Sequence, residues 1–212
     1  MKISILCTDP LHPVVAHLAE WSRQNKLKGH DILLAHDKSE LSGGDILFLV
    51  SCSQLIHLEE REKYKAVLVL HASNLPQGRG WSPHVWAILS GAQKITVCLL
   101  EARDPVDTGD IWLSKTFELQ GHELLPEINE KLFQCELELM SEVVDKFDQI
   151  ESVPQQSDSG DYLRRRSPQD SYLDVNKSIA EQFNLLRVVD NERYPAFFEY
   201  CGHKYIVKIE KA

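Results

Sequence analysis

The chain has 212 residues, enough for one ordinary domain or one domain with a small appendage, and 43% of them are apolar against 26% charged. That composition excludes a disordered, collagen-like or low-complexity chain, and a domain of this size buries roughly 70% of its unfolded surface without a disulfide or metal staple. The formal net charge of −9 argues against broad electrostatic binding to nucleic acid or to an anionic membrane.

The first two thirds alternate short apolar runs with helical patterns, which predicts an α/β domain with an open, mostly parallel sheet. Ile3–Cys7 reads as a first strand, and Pro10–Asn25 as a helix with Val14, Val15, Leu18, Ala19 and Trp21 at helical spacing. Asp31–His36 and Asp45–Ser51 are the next strands, near-continuous apolar runs of the kind that are covered on both faces. Ala66–Ser73 and Lys94–Glu101 are two more, separated by a short helix over Pro83–Gly91 with Pro at its first turn and Gly just past its end. From His122 to Ile150 the period becomes 3.6, with Leu125, Ile128, Leu132, Phe133, Leu137, Met140, Val144 and Phe147 on one stripe. Ser152–Asp161 reads as an exposed loop. A helix around Lys177–Val189 and a hairpin follow, with strands Phe197–Tyr200 and Lys204–Ile209 about a Cys201-Gly202-His203 turn. Residues 1–150 are expected to form the main domain, and 151–212 an extension of loop, helix and hairpin packed on it.

The five cysteines lie far apart with no C-x-x-C pair, which predicts reduced thiols and a cytoplasmic protein. The apolar run at the N-terminus is too short for a signal peptide, and no window reaches 18 apolar residues. Nine histidines are scattered without metal-ligand spacing, so no metal is expected.

Chemistry concentrates between Val67 and Ile111. His71 stands where an apolar strand gives way to a Pro- and Gly-rich loop, the carboxyl end of a strand, where open α/β sheets form ligand crevices. A histidine there can serve as a general base near neutral pH, or can simply hydrogen-bond the loop backbone. Asp107 heads a D-T-G turn, where a local Asx-type bond is the plain alternative to a catalytic carboxylate. No cysteine lies in this stretch, and Cys98 reads as a small core residue.

The segment His71-Ala72-Ser73-Asn74-Leu75-Pro76-Gln77-Gly78-Arg79-Gly80, followed by Asp107-Thr108-Gly109, resembles the formyltransferases that use 10-formyltetrahydrofolate. Their shared pattern is N-x-H-x-S-x-L-P-x-x-R-G and then a D-x-G turn. The resemblance covers about residues 1–150 and implies a Rossmann-like sheet, a folate formyl donor and no metal. It implies His71 as base and Asp107 as its orienting carboxylate, with Ser51, Cys52, Ser53, Leu55, Ile56, Arg79 and Gly80 toward the folate. The tail Arg165-Arg166-Ser167-Pro168-Gln169-Asp170-Ser171 is similar to the nucleotide-sugar N-formyltransferase branch of surface-sugar pathways. That likeness implies a nucleotide-linked amino sugar as acceptor, with Trp81, Arg165 and Arg166 toward it, in a monomer or homodimer; a glycinamide ribonucleotide transformylase-like enzyme is the alternative within the family.

One position departs from the pattern. The family asparagine two residues before the histidine is Val69 here, and valine cannot donate to a developing oxyanion. Losing such a donor costs on the order of 3 kcal/mol in the transition state unless it is replaced. Protonated His71, Ser73, Asn74, a loop N–H or an ordered water are the replacements open to it. Strand parity puts Ser73 on the face of His71, ahead of Asn74. Without a replacement, the chain would be a weakened relative or a binding module.

Overall fold

The computed structural model describes residues 1–156 and 162–212. The order is β1 (Lys2–Leu6), α1 (Val14–Leu27), β2 (Asp31–Ala35), β3 (Gly44–Leu49), α2 (Leu58–Arg61) and β4 (Tyr64–His71). Then come α3 (Pro83–Leu89), β5 (Lys94–Glu101), β6 (Ile111–Glu118), α4 (Leu125–Lys146), α5 (Phe183–Leu186), β7 (Ala196–Tyr200) and β8 (His203–Val207). One six-stranded sheet runs β2-β1-β3-β4-β5-β6, and β7 and β8 form a separate hairpin. The first four strands in that row are parallel, whereas β5 and β6 join antiparallel. This is the expected α/β, Rossmann-like, mostly parallel architecture with a small C-terminal hairpin.

Strand parity sorts the side chains between two layers. Ile3, Ile5, Phe48, Leu68, Val97 and Leu99 point under α1 and α4, whose Leu18, Trp21, Phe133 and Met140 complete the larger core. Trp21 meets Phe48 edge-on, and its indole N–H donates to Ser141 Oγ at 2.8 Å, tying α1 to α4. On the opposite face Leu6, Leu47, Leu49 and Val67 pack with Ile56 and Tyr64. Because apolar side chains fill both faces, these strands read as unbroken apolar runs. Among the described residues no helix is long and apolar enough to cross a membrane.

Three expectations are corrected. β6 was not foreseen: its Ile111–Leu113 stretch is only half-buried and its middle is polar and exposed, the pattern of an edge strand. β4 stops at His71 instead of continuing to Ser73, whose N–H turns back to the His71 carbonyl at 3.0 Å. The helix read over Lys177–Val189 is the single turn α5. There the side chains of Asp174, Ser178, Glu181 and Gln182 bond local backbone groups in place of a helical ladder.

The tail is joined to the sheet domain at defined points. Arg187, buried, donates from Nε to the Glu123 carbonyl at 2.9 Å and from Nη2 to its carboxylate at 3.2 Å. Val188 packs with Val85, Ile88, Ile95 and Ile128. The β7–β8 turn has Cys201 and Gly202 at φ +50° and +78°, two successive left-handed residues as a two-residue hairpin turn requires.

Candidate active site

The carboxyl ends of β1, β3 and β4 lie side by side, and at β4 the sheet changes from parallel to antiparallel pairing. His71 is the last residue of β4, paired across to Cys98 of β5. The chain then enters the loop 72–82, while residues 102–110 return between β5 and β6.

These loops bring His71 and Asp107 together. Their side chains are 7% and 12% exposed, with Nδ1 of His71 3.6 Å from Oδ1 of Asp107. The other carboxylate oxygen accepts the Gly80 N–H at 2.9 Å. The aspartate is therefore held across the sequence, not by a local Asx bond. Asp107 sits at φ +61°, a left-handed conformation that a short polar side chain tolerates and most residues avoid. Gly80 is at φ +102°, and a Cβ there would fall on the Leu163 carbonyl oxygen.

Nε2 of His71 lies 2.9 Å from the Gly78 carbonyl oxygen. The loop-backbone bond that the plain reading assigned to this histidine is thus present, together with the carboxylate. A carbonyl only accepts, so Nε2 carries the proton in this arrangement. The neutral ring then turns its Nδ1 lone pair toward Asp107, and only the imidazolium satisfies both partners with hydrogen bonds.

Around this pair, Val69 is half-buried against Leu75, Cys98 and Leu100. Because β4 ends at His71, strand parity does not carry to Ser73. The turn itself places the Ser73 side chain against Gly78, with Oγ buried and without a hydrogen-bond partner. Asn74 is exposed. Cys98 is buried and its thiol donates to the Ser73 carbonyl at 3.1 Å, a core residue as read; burial pushes that thiol's pKa up.

The segment after β3 lies beside the end of β1: Thr8 Oγ1 accepts the Ser53 N–H at 2.9 Å and contacts Ser53 Oγ at 3.0 Å. Ser51 is exposed at φ +47° and Cys52 bonds the Gln54 carbonyl. Leu55 faces solvent, whereas the side chain of Ile56 is spent in the core between Leu6 and Leu49.

The three consecutive arginines do different things. Arg164 stacks on Trp86 and pairs with Asp170. Arg165 stacks on Trp81, its guanidinium carbon 5.1 Å from the ring centre, and among the described residues no carboxylate pairs with it. Arg166 is half-buried, bonds the Asp170 carbonyl at 3.1 Å, and leaves its Nε without a partner. Burial lowers its pKa.

Two participants escaped sequence reasoning. Gln155, in the stretch read as an exposed loop, bonds the backbone on either side of Thr108 and the Arg79 side chain. The rest of that loop, residues 157–161, falls outside the described residues. His84, at the start of α3, is driven down to about 4 by burial and then by the charges of His71, His12 and Arg166. No motif or periodicity marks either residue. Two surface cavities, of about 320 and 570 Å³, are lined by residues around Asp37 and around Trp21, and neither includes His71 or Asp107. Among the described residues no group of His, Cys, Asp or Glu is arranged to hold a metal ion.

The chain is 30% identical over 129 residues to a methionyl-tRNA formyltransferase of Sulfurihydrogenibium, a match covering 60% of this chain and 41% of that protein. Among solved structures, methionyl-tRNA formyltransferase from Clostridium thermocellum shares the fold with a TM-score of 0.84 at 21% identity, over 100% of this chain and 93% of that one. HypX from Aquifex aeolicus, in complex with tetrahydrofolic acid, gives 0.82 at 19% identity over 99% of this chain and 37% of that one. A sugar N-formyltransferase from a Shewanella species gives 0.73 at 14% identity over 100% and 98%. The sequence profile of the formyl transferase family matches residues 11–144, the stretch that carries His71, Asp107 and the loop between them, and this chain belongs to that family.

Proposed function

We propose that the protein transfers a formyl group from 10-formyltetrahydrofolate to the amine of a nucleotide-linked amino sugar. The observation that carries this reading is the buried His71–Asp107 pair, held by the Gly78–Gly80 loop inside the family's matched region. In the same loop Ser73 Oγ is a buried hydroxyl without a partner, and Arg79 Nε is a second buried polar atom without one. A protein that shares this fold, HypX from Aquifex aeolicus, is described in complex with tetrahydrofolic acid.

In the proposed mechanism the acceptor amine takes the place of the Gly78 carbonyl at Nε2 of His71. To receive the amine proton there, the ring must carry its own proton on Nδ1, facing Asp107. The 3.6 Å gap is longer than a hydrogen bond and closes as imidazolium forms. Asp107, pinned by the Gly80 N–H through its other oxygen, keeps the ring in that orientation, as a carboxylate does in a catalytic triad. With Val69 unable to donate, the Ser73 hydroxyl stabilises the oxygen of the formyl group as its carbon becomes tetrahedral. The bond from that carbon to N10 then breaks, and the His71 imidazolium gives its proton to N10 of the departing tetrahydrofolate. The Arg165 guanidinium, stacked on Trp81, offers a charged fork to a diphosphate.

A methionyl-tRNA acceptor is the second reading, favoured by the Sulfurihydrogenibium relative. Purified protein incubated with 10-formyltetrahydrofolate and, separately, UDP-, dTDP- and GDP-amino sugars and methionyl-tRNA tests both. Tetrahydrofolate release with a formylated sugar in the mass spectrum is the expected result. Formylation of methionyl-tRNA alone overturns the sugar, and absence of transfer to any acceptor returns the chain to a binding module.

A further inference from the structure

We infer that Gln155 is a positioning residue for Asp107, contributed by a strap that crosses the aspartate's turn; this rests on the reading of the His71–Asp107 pair above. Nε2 of Gln155 donates both hydrogens, to the Asp107 carbonyl at 2.9 Å and to the Gly109 carbonyl at 2.8 Å. Its Oε1 accepts from Arg79 Nη2 at 3.1 Å. One amide therefore fixes the backbone on both sides of Thr108 and ties it to Arg79, the residue between the Gly78 carbonyl on His71 and the Gly80 N–H on Asp107. Among the described residues no other side chain donates to those two carbonyls.

A restraint suits Asp107 because a left-handed backbone is costly for a non-glycine residue and persists where the surrounding structure holds it. The strap is itself anchored, since Val153 and Ile111 exchange two backbone hydrogen bonds of 2.8 Å each. Beyond residues 157–161 the chain is pinned again, where Leu163 donates to the Arg79 carbonyl at 2.7 Å and accepts from the Trp81 N–H at 2.9 Å. Residues 153 and 155 thus bond the Ile111 end and the turn of Asp107, and Leu163 bonds the loop that carries Arg79.

Gln155→Ala and Gln155→Glu test this beside Asp107→Asn. The glutamate keeps the size and the Arg79 contact but donates nothing. Both Gln155 variants are expected to lower kcat on the order of 10²-fold, the scale of a misplaced catalytic group, with KM for donor and acceptor unchanged within about threefold. In an Asp107→Asn background, Gln155→Ala is expected to cost nothing more, because the group it positions is gone. In protein labelled with 15N-histidine, the His71 ring signals of Gln155→Ala should move toward those of Asp107→Asn, a measurement that needs no turnover. His71 signals superimposing on the wild type in a folded variant, or losses that add in the double variant, overturn the inference. If Asp107→Asn turns over like the wild type, the reading of the site itself is wrong and the positioning role falls with it.

Discussion

At the His71–Asp107 pair, two loops far apart in sequence converge on one imidazole, and each partner can be removed separately. His71→Ala and Asp107→Ala are each expected to lower kcat on the order of 10²-fold or more, read as the steady-state rate of tetrahydrofolate release. Wild-type turnover in either variant would move the chemistry elsewhere. Val69 poses a sharper question. If Ser73 has taken over from the missing asparagine, Ser73→Ala should cost on the order of 10²-fold while Val69→Asn brings little gain. The reverse pattern, a large gain from Val69→Asn and a silent Ser73→Ala, would mark a decayed site. Strand-end position and the D-T-G turn singled out His71 and Asp107 but left both open; the family resemblance joined them, and the structure brings their side chains together. Gln155 was not, since a glutamine in a Pro- and Ser-rich stretch looks the same whether it faces solvent or a buried carbonyl. Ser73 was named on an argument from extended geometry that the chain abandons two residues earlier.

Among the elements, the strap and the arginine run make separable claims. Arg165→Ala should raise KM for a nucleotide sugar and leave that for the folate unchanged, a charged contact worth roughly 1.5–3 kcal/mol. Arg166→Ala should act on stability instead, because that side chain is turned inward onto the Asp170 carbonyl. Equal sugar KM values before and after Arg165→Ala would make Arg165 a solvated surface charge without a part in sugar binding. The joint between tail and sheet is testable too. Burial alone would raise the Glu123 carboxyl, but Lys131 and the Gln120 N–H outweigh it and hold Glu123 down to about 2. Arg187→Met leaves the Glu123 carbonyl without its donor and the carboxylate with Lys131 as its cationic partner, and should cost about 1–3 kcal/mol of unfolding free energy in urea titrations. β6 escaped sequence reading because an edge strand buries too little to show a clean alternation, and the Lys177–Val189 pattern misled because Asx and Ser side-chain turns share helical spacing.

For the molecule as a whole, the two-layer core followed from the apolar runs and from the α4 stripe, yet that stripe hides a titratable residue. Glu136 is buried in α4 with Oε2 unpartnered, and burial pushes its carboxyl up to about 8 from 4.5. Between those values the unfolded chain has lost this proton while the folded one keeps it. Stability therefore falls as pH rises through that window, by up to about 1.4 kcal/mol per pH unit. Glu136→Gln should remove the slope, so that its advantage over the wild type in urea unfolding widens from pH 5 to pH 8. A gap that stays constant across that range would show the carboxyl already ionised. The strap also orders events in time. On the ribosome β1 to β6 are complete by Glu118, whereas Val153, Gln155 and Leu163 emerge only after the whole of α4. At bacterial or eukaryotic elongation rates this leaves on the order of seconds during which the sheet can assemble with its histidine and aspartate unclasped. A nascent chain interrupted in that interval carries every strand of the sheet without the Gln155 bonds to the Asp107 and Gly109 carbonyls.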